Sequence, residues 1–436
     1  MDNVRKLVFA SLRSCNDGKK YTNLEADSTV KKQKLTGRDK GFYVALLYGV
    51  TERGITLEYI AEKLSGRPFG KLQINVQILL KMGLYQLIYM DSVPDYAAVG
   101  ETVRLARTLV NRGAVSMINA VLRECSRRVE GHEKRDEVFF SESFASVASR
   151  LSVLYSVREH ICAELLNDYG ESTAEKILDS FFAKQYLSLK VNTLKTDMDS
   201  FSGDLRTAGY KAEKSAICDN GIVISDPGSV TDIPGYRDGL FYVQDDSSYE
   251  AVKALMPGAG DCLLDACACP GGKSFAAAIL MKNKGSILSC DLHDSKISLI
   301  ESGAERLGIG IIKTECIDAT VFNSHLEEKF DKVICDVPCS GVGIIGKKPD
   351  LRYKNREETE KLPALQSCIL ANCSRYLKKG GKLLYSTCTL FKSENEFTVR
   401  NFLCEHKECR LLKEKTFLPF EGNTDGFYLA VIGKDI

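Results

Sequence analysis

The chain has 436 residues, 44% of them apolar, and a formal net charge of +1. That length exceeds one comfortable core and points to two or three domains, and the composition is that of a globular chain rather than a low-complexity one. The densest apolar runs, such as residues 44–50, fall far short of the ~20 residues a membrane helix needs, so no membrane partner is expected.

The charge is unevenly placed. Residues 1–128 hold 21 Lys and Arg against 12 Asp and Glu, a net +9 that leaves −8 for the remainder. A basic front end favours a polyanionic partner. Sixteen cysteines in a long chain that opens without an apolar signal region favour reduced thiols and a cytoplasmic setting. No C-x-x-C pair occurs, and Cys404, His406 and Cys409 form a run without a fourth ligand, so no metal is expected.

From Val4 to Arg128 the apolar period is helical. Val4, Leu7, Val8 and Leu12 mark one stripe, and Phe42, Leu46, Leu47 and Val50 another. Further helices are predicted over 74–89, 98–109 and 119–128. Residues 1–128 therefore read as an all-α bundle, and the charged stretch 129–145 as a linker. Helical pattern resumes over 150–169 and 172–182, and alternating strands follow at 186–191, 221–225 and 239–244, which makes 146–245 a small α+β module. After Gly258 short buried strands alternate with helices, at 262–266, 286–290, 311–316, 332–335 and 382–385, with an edge strand predicted at 426–432. Residues 246–436 are thus expected to form a doubly wound, Rossmann-like domain, and the whole chain a multidomain α and α/β fold.

In an open α/β sheet ligands bind beyond the carboxyl ends of the strands. Strand one leads through Asp265 into Cys267-Ala268-Cys269-Pro270-Gly271-Gly272-Lys273, where bare glycines let backbone N–H groups approach a ligand. Asp291, Asp318 and Asp336 follow the next three strands. One such aspartate is more often a helix cap. Four in register disfavour a pyrophosphate and suit a cofactor with a positive sulfonium and an adenosine, so S-adenosyl-L-methionine is expected in place of a dinucleotide. The loop also lacks G-x-G-x-x-G.

Two cysteines stand at later strand ends, in Asp336-Val337-Pro338-Cys339-Ser340 and Ser386-Thr387-Cys388-Thr389. Most free cysteines are small buried hydrophobes, but these two lie beside the cofactor loop. Their chemistry suits cytosine, whose C5 is too electron-poor to take a methyl group until a thiolate has added at C6.

Taken together, these motifs resemble the RNA cytosine-C5 methyltransferases of the NOL1/NOP2/Sun class. The resemblance covers the chain from about Leu187 onward, including Gln244-Asp245-Asp246-Ser247-Ser248 and Asp425-Gly426-Phe427-Tyr428. It implies that Cys388 is the nucleophile, that Cys339 assists proton removal and release, and that Asp336 bonds the cytosine at N3. It also implies that Gly271, Gly272 and Lys273 line the methionine side of the cofactor, Asp291 the ribose and Asp318 the adenine. The front bundle resembles the NusB-type RNA-binding bundle at Ala98-Val99-Gly100-Glu101-Thr102-Val103 and Ile118-Asn119-Ala120-Val121-Leu122-Arg123. That combination is similar to the bacterial enzymes of the class that act on small-subunit ribosomal RNA, which makes that RNA the expected partner of a monomer. Transfer RNA is the alternative substrate, and a catalytically silent RNA-binding module the alternative class. Two departures stand out: Cys269 where the family usually has alanine, and Lys190 where it has arginine, with the loss of arginine's bidentate fork.

Overall fold

The computed structural model describes residues 2–16, 21–140, 143–225, 228–422 and 424–435. Contacts divide the chain into two compact units, Met1–Glu175 with Lys348–Lys354, and Lys176–Lys347 with Asn355–Ile436.

The first unit is helical: α1 (Asp2–Asn16), α2 (Thr22–Gln33), α3 (Gly37–Glu52), α4 (Gly54–Ser65), α5 (Ile74–Tyr89), α6 (Asp95–Leu109), α7 (Arg112–Val129), α8 (Val147–Tyr155) and α9 (Glu159–Tyr169). Val4, Val8 and Leu12, one helical turn apart on α1, are buried together. α5 is buried on nearly every side, through Val76, Leu79, Leu80, Leu84 and Leu87. Its one buried polar side chain, Gln86, accepts from Arg5 Nε at 2.8 Å and donates to the Met82 carbonyl at 2.8 Å. The helix predicted over 150–169 is two helices, separated where Ser156 turns left-handed at φ +53°.

Val129 and Phe139 are buried in the same core as α5, so residues 129–140 of the expected linker pack on this unit. Ser141 and Glu142 of that stretch lie outside the described residues. A short segment from much later in the chain also belongs here. Asp350 accepts from the Thr22 N–H (3.2 Å) and hydroxyl (2.7 Å) at the start of α2, and the fully buried Arg352 donates to the Tyr155 carbonyl at 2.8 Å.

In the second unit, β1 (Leu187–Val191), β2 (Ala212–Lys214), β3 (Gly221–Ile224) and β4 (Phe241–Val243) form an antiparallel sheet in the order β2-β3-β1-β4. Its core is Leu189, Val191, Ile222, Ile224 and Phe241, with Phe201 and Leu205 from a helix over Met198–Thr207.

A seven-stranded sheet follows: β5 (Cys262–Asp265), β6 (Ser286–Asp291), β7 (Ile312–Cys316), β8 (Phe330–Asp336), β9 (Leu377–Thr387), β10 (Cys409–Phe417) and β11 (Phe427–Lys434), in the order β10-β11-β9-β8-β5-β6-β7. β5 to β9 run parallel, and β11 is antiparallel to both of its neighbours. Successive side chains along a strand enter opposite cores. Leu263, Ile334 and Leu384 pack with the helices over Asp246–Leu255, Gly272–Leu280 and Asp294–Leu307, while Leu264, Val333 and Leu383 pack with those over Leu362–Tyr376 and Glu396–Glu405. The strand predicted at the edge, 426–432, is interior. β10 is the edge, and its exposed run from Arg410 to Lys415, charged at four of six positions, is the kind of sequence that protects an edge strand from further pairing. Among the described residues no helix is long and apolar enough to cross a membrane.

Candidate active site

The chain order reverses between β5 and β8, the position at which an open sheet parts to form a crevice. Asp265 ends β5 and Asp336 ends β8, so both carboxylates come to that crevice. Gly271 stands at the N-terminus of the helix over Gly272–Leu280 with φ +106°, and a Cβ there would lie 2.4 Å from the Phe275 ring, so only glycine serves.

Cys267, Ala268, Cys269, Pro270, Gly272, Lys273 and Asp336 line a solvent-open cleft of about 150 Å³, joined by Asp265, Val243, Gln244 and Ser248. Lys273 Nζ lies 2.7 Å from Asp336 Oδ2 and 5.1 Å from the centre of the Phe427 ring. The other oxygen of Asp336 accepts from the Ser386 hydroxyl at 2.7 Å.

Asp265 is wholly buried, and burial raises its carboxyl to about 7. Its Oδ2 accepts from the Ser274 hydroxyl at 2.6 Å and the carboxylate also takes a backbone hydrogen bond from Cys267, while the Oε1 of Gln244 has no partner among the described residues. Such acceptors suit a ligand that brings a cation and N–H donors, as S-adenosylmethionine does, and would repel a phosphate.

Asp291 and Asp318 do not line this cleft. Asp291 is buried at the end of β6, accepts from the His293 N–H at 3.2 Å and pairs with Lys296 at 3.4 Å. Asp318 is exposed and turned into its own loop, where the Thr320 hydroxyl (2.6 Å) and N–H (2.9 Å) hold its carboxyl below the usual range. The Cys269 thiol, half-buried, is raised by burial and then by Asp291.

The two strand-end cysteines come together. Cys339 follows β8 and Cys388 follows β9, the strands pair in parallel with Asp336 opposite Ser386, and the sulfurs are 3.2 Å apart. The hydrogen bond shared with Cys388, and then burial, push the Cys339 thiol well above its usual range. Both loops are held from beneath. Glu394 Oε2 accepts from the Ser340 N–H at 2.9 Å and from Gln366 Nε2 at 2.7 Å, and Gln366 also reaches the Pro338 carbonyl at 2.9 Å. Asn395 accepts from the Thr387 hydroxyl at 2.6 Å and donates to the Thr389 carbonyl at 3.1 Å. The Gly343 N–H bonds the Cys388 carbonyl at 3.0 Å, and Gly343 and Gly426 touch so closely that a Cβ on Gly343 would lie 1.9 Å from the Gly426 carbonyl oxygen.

Sequence reading passed over Gln366, Glu394 and Asn395, because polar residues at a helix start ordinarily face solvent. It also passed over a half-buried cation between two acids: Lys347 Nζ lies 2.9 Å from Asp245 Oδ2 and 2.7 Å from Asp425 Oδ1. Burial and the neighbouring Asp245 raise the Asp425 carboxyl to about 7. The Cys404–Cys409 run gathers no metal set. His406 faces Glu408 at 3.2 Å and Cys409 is buried.

Residues 252–432 match the family described as 16S rRNA methyltransferase RsmB/F, residues 2–127 the NusB family, and residues 159–231 the RsmF/B-like ferredoxin-like domain. A probable ribosomal RNA small subunit methyltransferase B of Bacillus subtilis is 33% identical over 99% of this chain and 98% of its own length. One from Synechocystis is 31% identical over 100% of both. The crystal structure of PH0851 shares the fold, with a TM-score of 0.81 and 24% identity over 99% of this chain and 98% of that one.

Proposed function

This chain belongs to the RsmB/F family of 16S rRNA methyltransferases, and we propose that it methylates C5 of a cytosine in small-subunit ribosomal RNA through a cysteine adduct at C6. When bound, S-adenosylmethionine supplies an electrophilic methyl group on a positive sulfur. The protein's part is to make C5 nucleophilic. The Cys388 thiolate forms a bond to C6, and the ring electrons move toward C5 and N3. Asp336, held between Lys273 and Ser386, faces the N3 edge and shares a proton with N3, which offsets the negative charge gathering there. After C5 has accepted the methyl group, Cys339, its own proton passed to water, takes the C5 proton. The C5–H pair re-forms the C5–C6 double bond, and the C6–S pair leaves with sulfur to free Cys388 as a thiolate.

The sulfur–sulfur distance of 3.2 Å carries this reading. At that distance one thiolate of the pair can be stabilised by the other's S–H, so that one cysteine attacks C6 while its neighbour stands beside it. Cys388 is assigned as the attacking sulfur because Thr387-Cys388-Thr389 resembles the family's nucleophile motif.

We assign Cys267 to Lys273 and Asp336 to the cofactor cleft, with Asp291 toward the ribose and Asp318 toward the adenine. Residues 1–128 are assigned to RNA grip, 246–436 to catalysis and the part of 146–245 beyond Glu175 to the small module, while the stretch 129–145 expected as a linker packs on the first unit through Val129 and Phe139. The target base has to leave its stack to reach the thiols, which is least costly in a loop or single strand. The enzyme is proposed to act as a cytoplasmic monomer without a metal. Bisulfite sequencing of ribosomal and transfer RNA from cells lacking this protein tests the substrate. Loss of one 5-methylcytosine from 16S RNA supports the reading, and loss confined to transfer RNA overturns it.

A further inference from the structure

The turn that carries Cys388 is held by a backbone contact from outside its own strand. The Cys388 carbonyl accepts from the Gly343 N–H at 3.0 Å, and the Gly343 carbonyl in turn accepts from the Gly426 N–H at 2.9 Å. Gly343 is thereby strung between the cysteine turn and the residue that enters β11. The fit leaves no slack. A Cβ on Gly426 would lie 2.7 Å from the Gly343 Cα and 3.0 Å from Cγ of Leu390, two residues past Cys388.

Gly343 sits in a single 3₁₀ turn, Val342–Ile344, within the segment Gly341–Lys347 that follows Cys339 and Ser340. So short an element has little stability of its own. Val342 and Ile345 pack it down, but among the described residues its polar ties to the surroundings come at two points, Gly343 and Lys347. The Lys347 N–H bonds the Ile344 carbonyl at 3.0 Å, which joins that side chain to the same turn.

The acids that Lys347 meets are anchored in turn. Asp245 caps the helix over Asp246–Leu255, where its Oδ1 accepts from the Ser247 N–H at 3.0 Å. The same oxygen takes the Thr424 hydroxyl at 2.7 Å and the Asp425 N–H at 3.2 Å. One carboxylate therefore holds Lys347 through one oxygen and residues 424–425 through the other. Asp245 and Asp425 both face the ammonium, and their side chains are only 11% and 15% exposed. Without a cation between them the two carboxylates repel at close range. That repulsion acts on the residue beside Gly426, and so along the path from Gly426 through Gly343 to Cys388.

We propose that Lys347 is a positioning residue for the nucleophile: by clasping Asp245 and Asp425 it fixes Gly343, whose N–H holds the Cys388 carbonyl and with it the approach of the sulfur to the base. This rests on the reading of Cys388 above.

The test follows the covalent adduct formed by full-length Cys339→Ala with 16S RNA and S-adenosylmethionine, sampled over time on denaturing gels. Adding Lys347→Met is expected to slow adduct formation roughly 10- to 100-fold, the cost of displacing a reacting atom by about 1 Å, with 16S RNA affinity unchanged. Lys347→Arg, which keeps the charge, is expected to keep most of the rate. Lys347→Gln, which offers the acids N–H donors without charge, is the milder variant and is expected to fall between the two. Adduct formation at the Cys339→Ala rate in Lys347→Met and Lys347→Gln overturns the proposal. Slowing matched by an equal loss of RNA affinity also overturns it, because that marks a general structural fault. If Cys339→Ala alone forms no adduct, the reading of Cys388 fails and the proposal with it.

Discussion

Cys339 and Cys388 are 49 residues apart in the chain, yet their sulfurs lie 3.2 Å from one another. The contact follows from strand pairing, since β8 and β9 run in parallel and each delivers a cysteine within three residues of its end. Two thiols at this distance cannot both be ionised cheaply.

Glu394 holds the Cys339 loop from below. It accepts from both Ser340 and Gln366, and is itself 1% exposed. Glu394→Ala strands two buried donors, which costs roughly 1–3 kcal/mol and loosens the loop that carries Cys339. The expected result is a lowered melting temperature and slower single-turnover methyl transfer, with S-adenosylhomocysteine affinity unchanged. Glu394→Gln should recover part of both losses.

The Lys190–Asp246 pair is buried on both sides, at 0% and 4% side-chain exposure. Lys190→Met leaves Asp246 as an uncompensated buried charge, a change that typically costs about 3–5 kcal/mol. Denaturant unfolding should show that loss, and Asp246→Asn in the same chain should return part of it.

The Asp265 carboxyl, raised by burial to about 7, has Lys273, Asp336, Ser274 and Gln244 around it. An unfolded aspartate titrates near ~3.9. Between about pH 4 and 7 the folded chain therefore keeps a proton that the unfolded chain has lost, so this group's contribution to stability falls as pH rises through that window and is level above it. Binding has the opposite sign, because only the ionised carboxylate attracts a cation. S-adenosylhomocysteine affinity, followed by calorimetry from pH 6 to 8, should increase through about pH 7, and Asp265→Asn should flatten the profile.

Lys31, Lys32, Lys34, Arg38 and Lys40 are exposed on the first unit, whereas Arg127 and Arg128 both pair with Glu124. The first group is therefore the better phosphate contact. RNA affinity should fall with salt, and changing Lys31, Lys32, Lys34 and Arg38 to Gln should reduce the log–log slope by up to roughly 0.7 per contact removed. An unchanged slope in filter binding would take this face out of the RNA contact.

What the sequence made legible was whatever repeats or sits at a strand end. Val4, Val8 and Leu12 declare α1 by their spacing, and the cysteine motifs and the glycine loop were found because the sheet places strand ends together. Helix α2 escaped because its buried positions are only Thr22 and Ala26, too few to make a stripe, and its first N–H is met by the distant Asp350. β10 escaped because its exposed, charged residues look like a loop, which in turn misplaced β11 at the edge. Lys190 and Gln244 stood out only as motif positions, and Glu394 carries no local signal at all. What each of them bonds comes from burial, which only the packed chain creates.

The central claim is a transient bond between Cys388 and the target base, with Cys339 needed to release it. Incubating each variant with 16S RNA and S-adenosylmethionine, then running denaturing gels, tests both halves at once. Cys339→Ala should retain RNA as a covalent adduct that survives denaturation, and Cys388→Ala should form none and transfer no methyl group. An adduct that accumulates in Cys388→Ala would contradict the account.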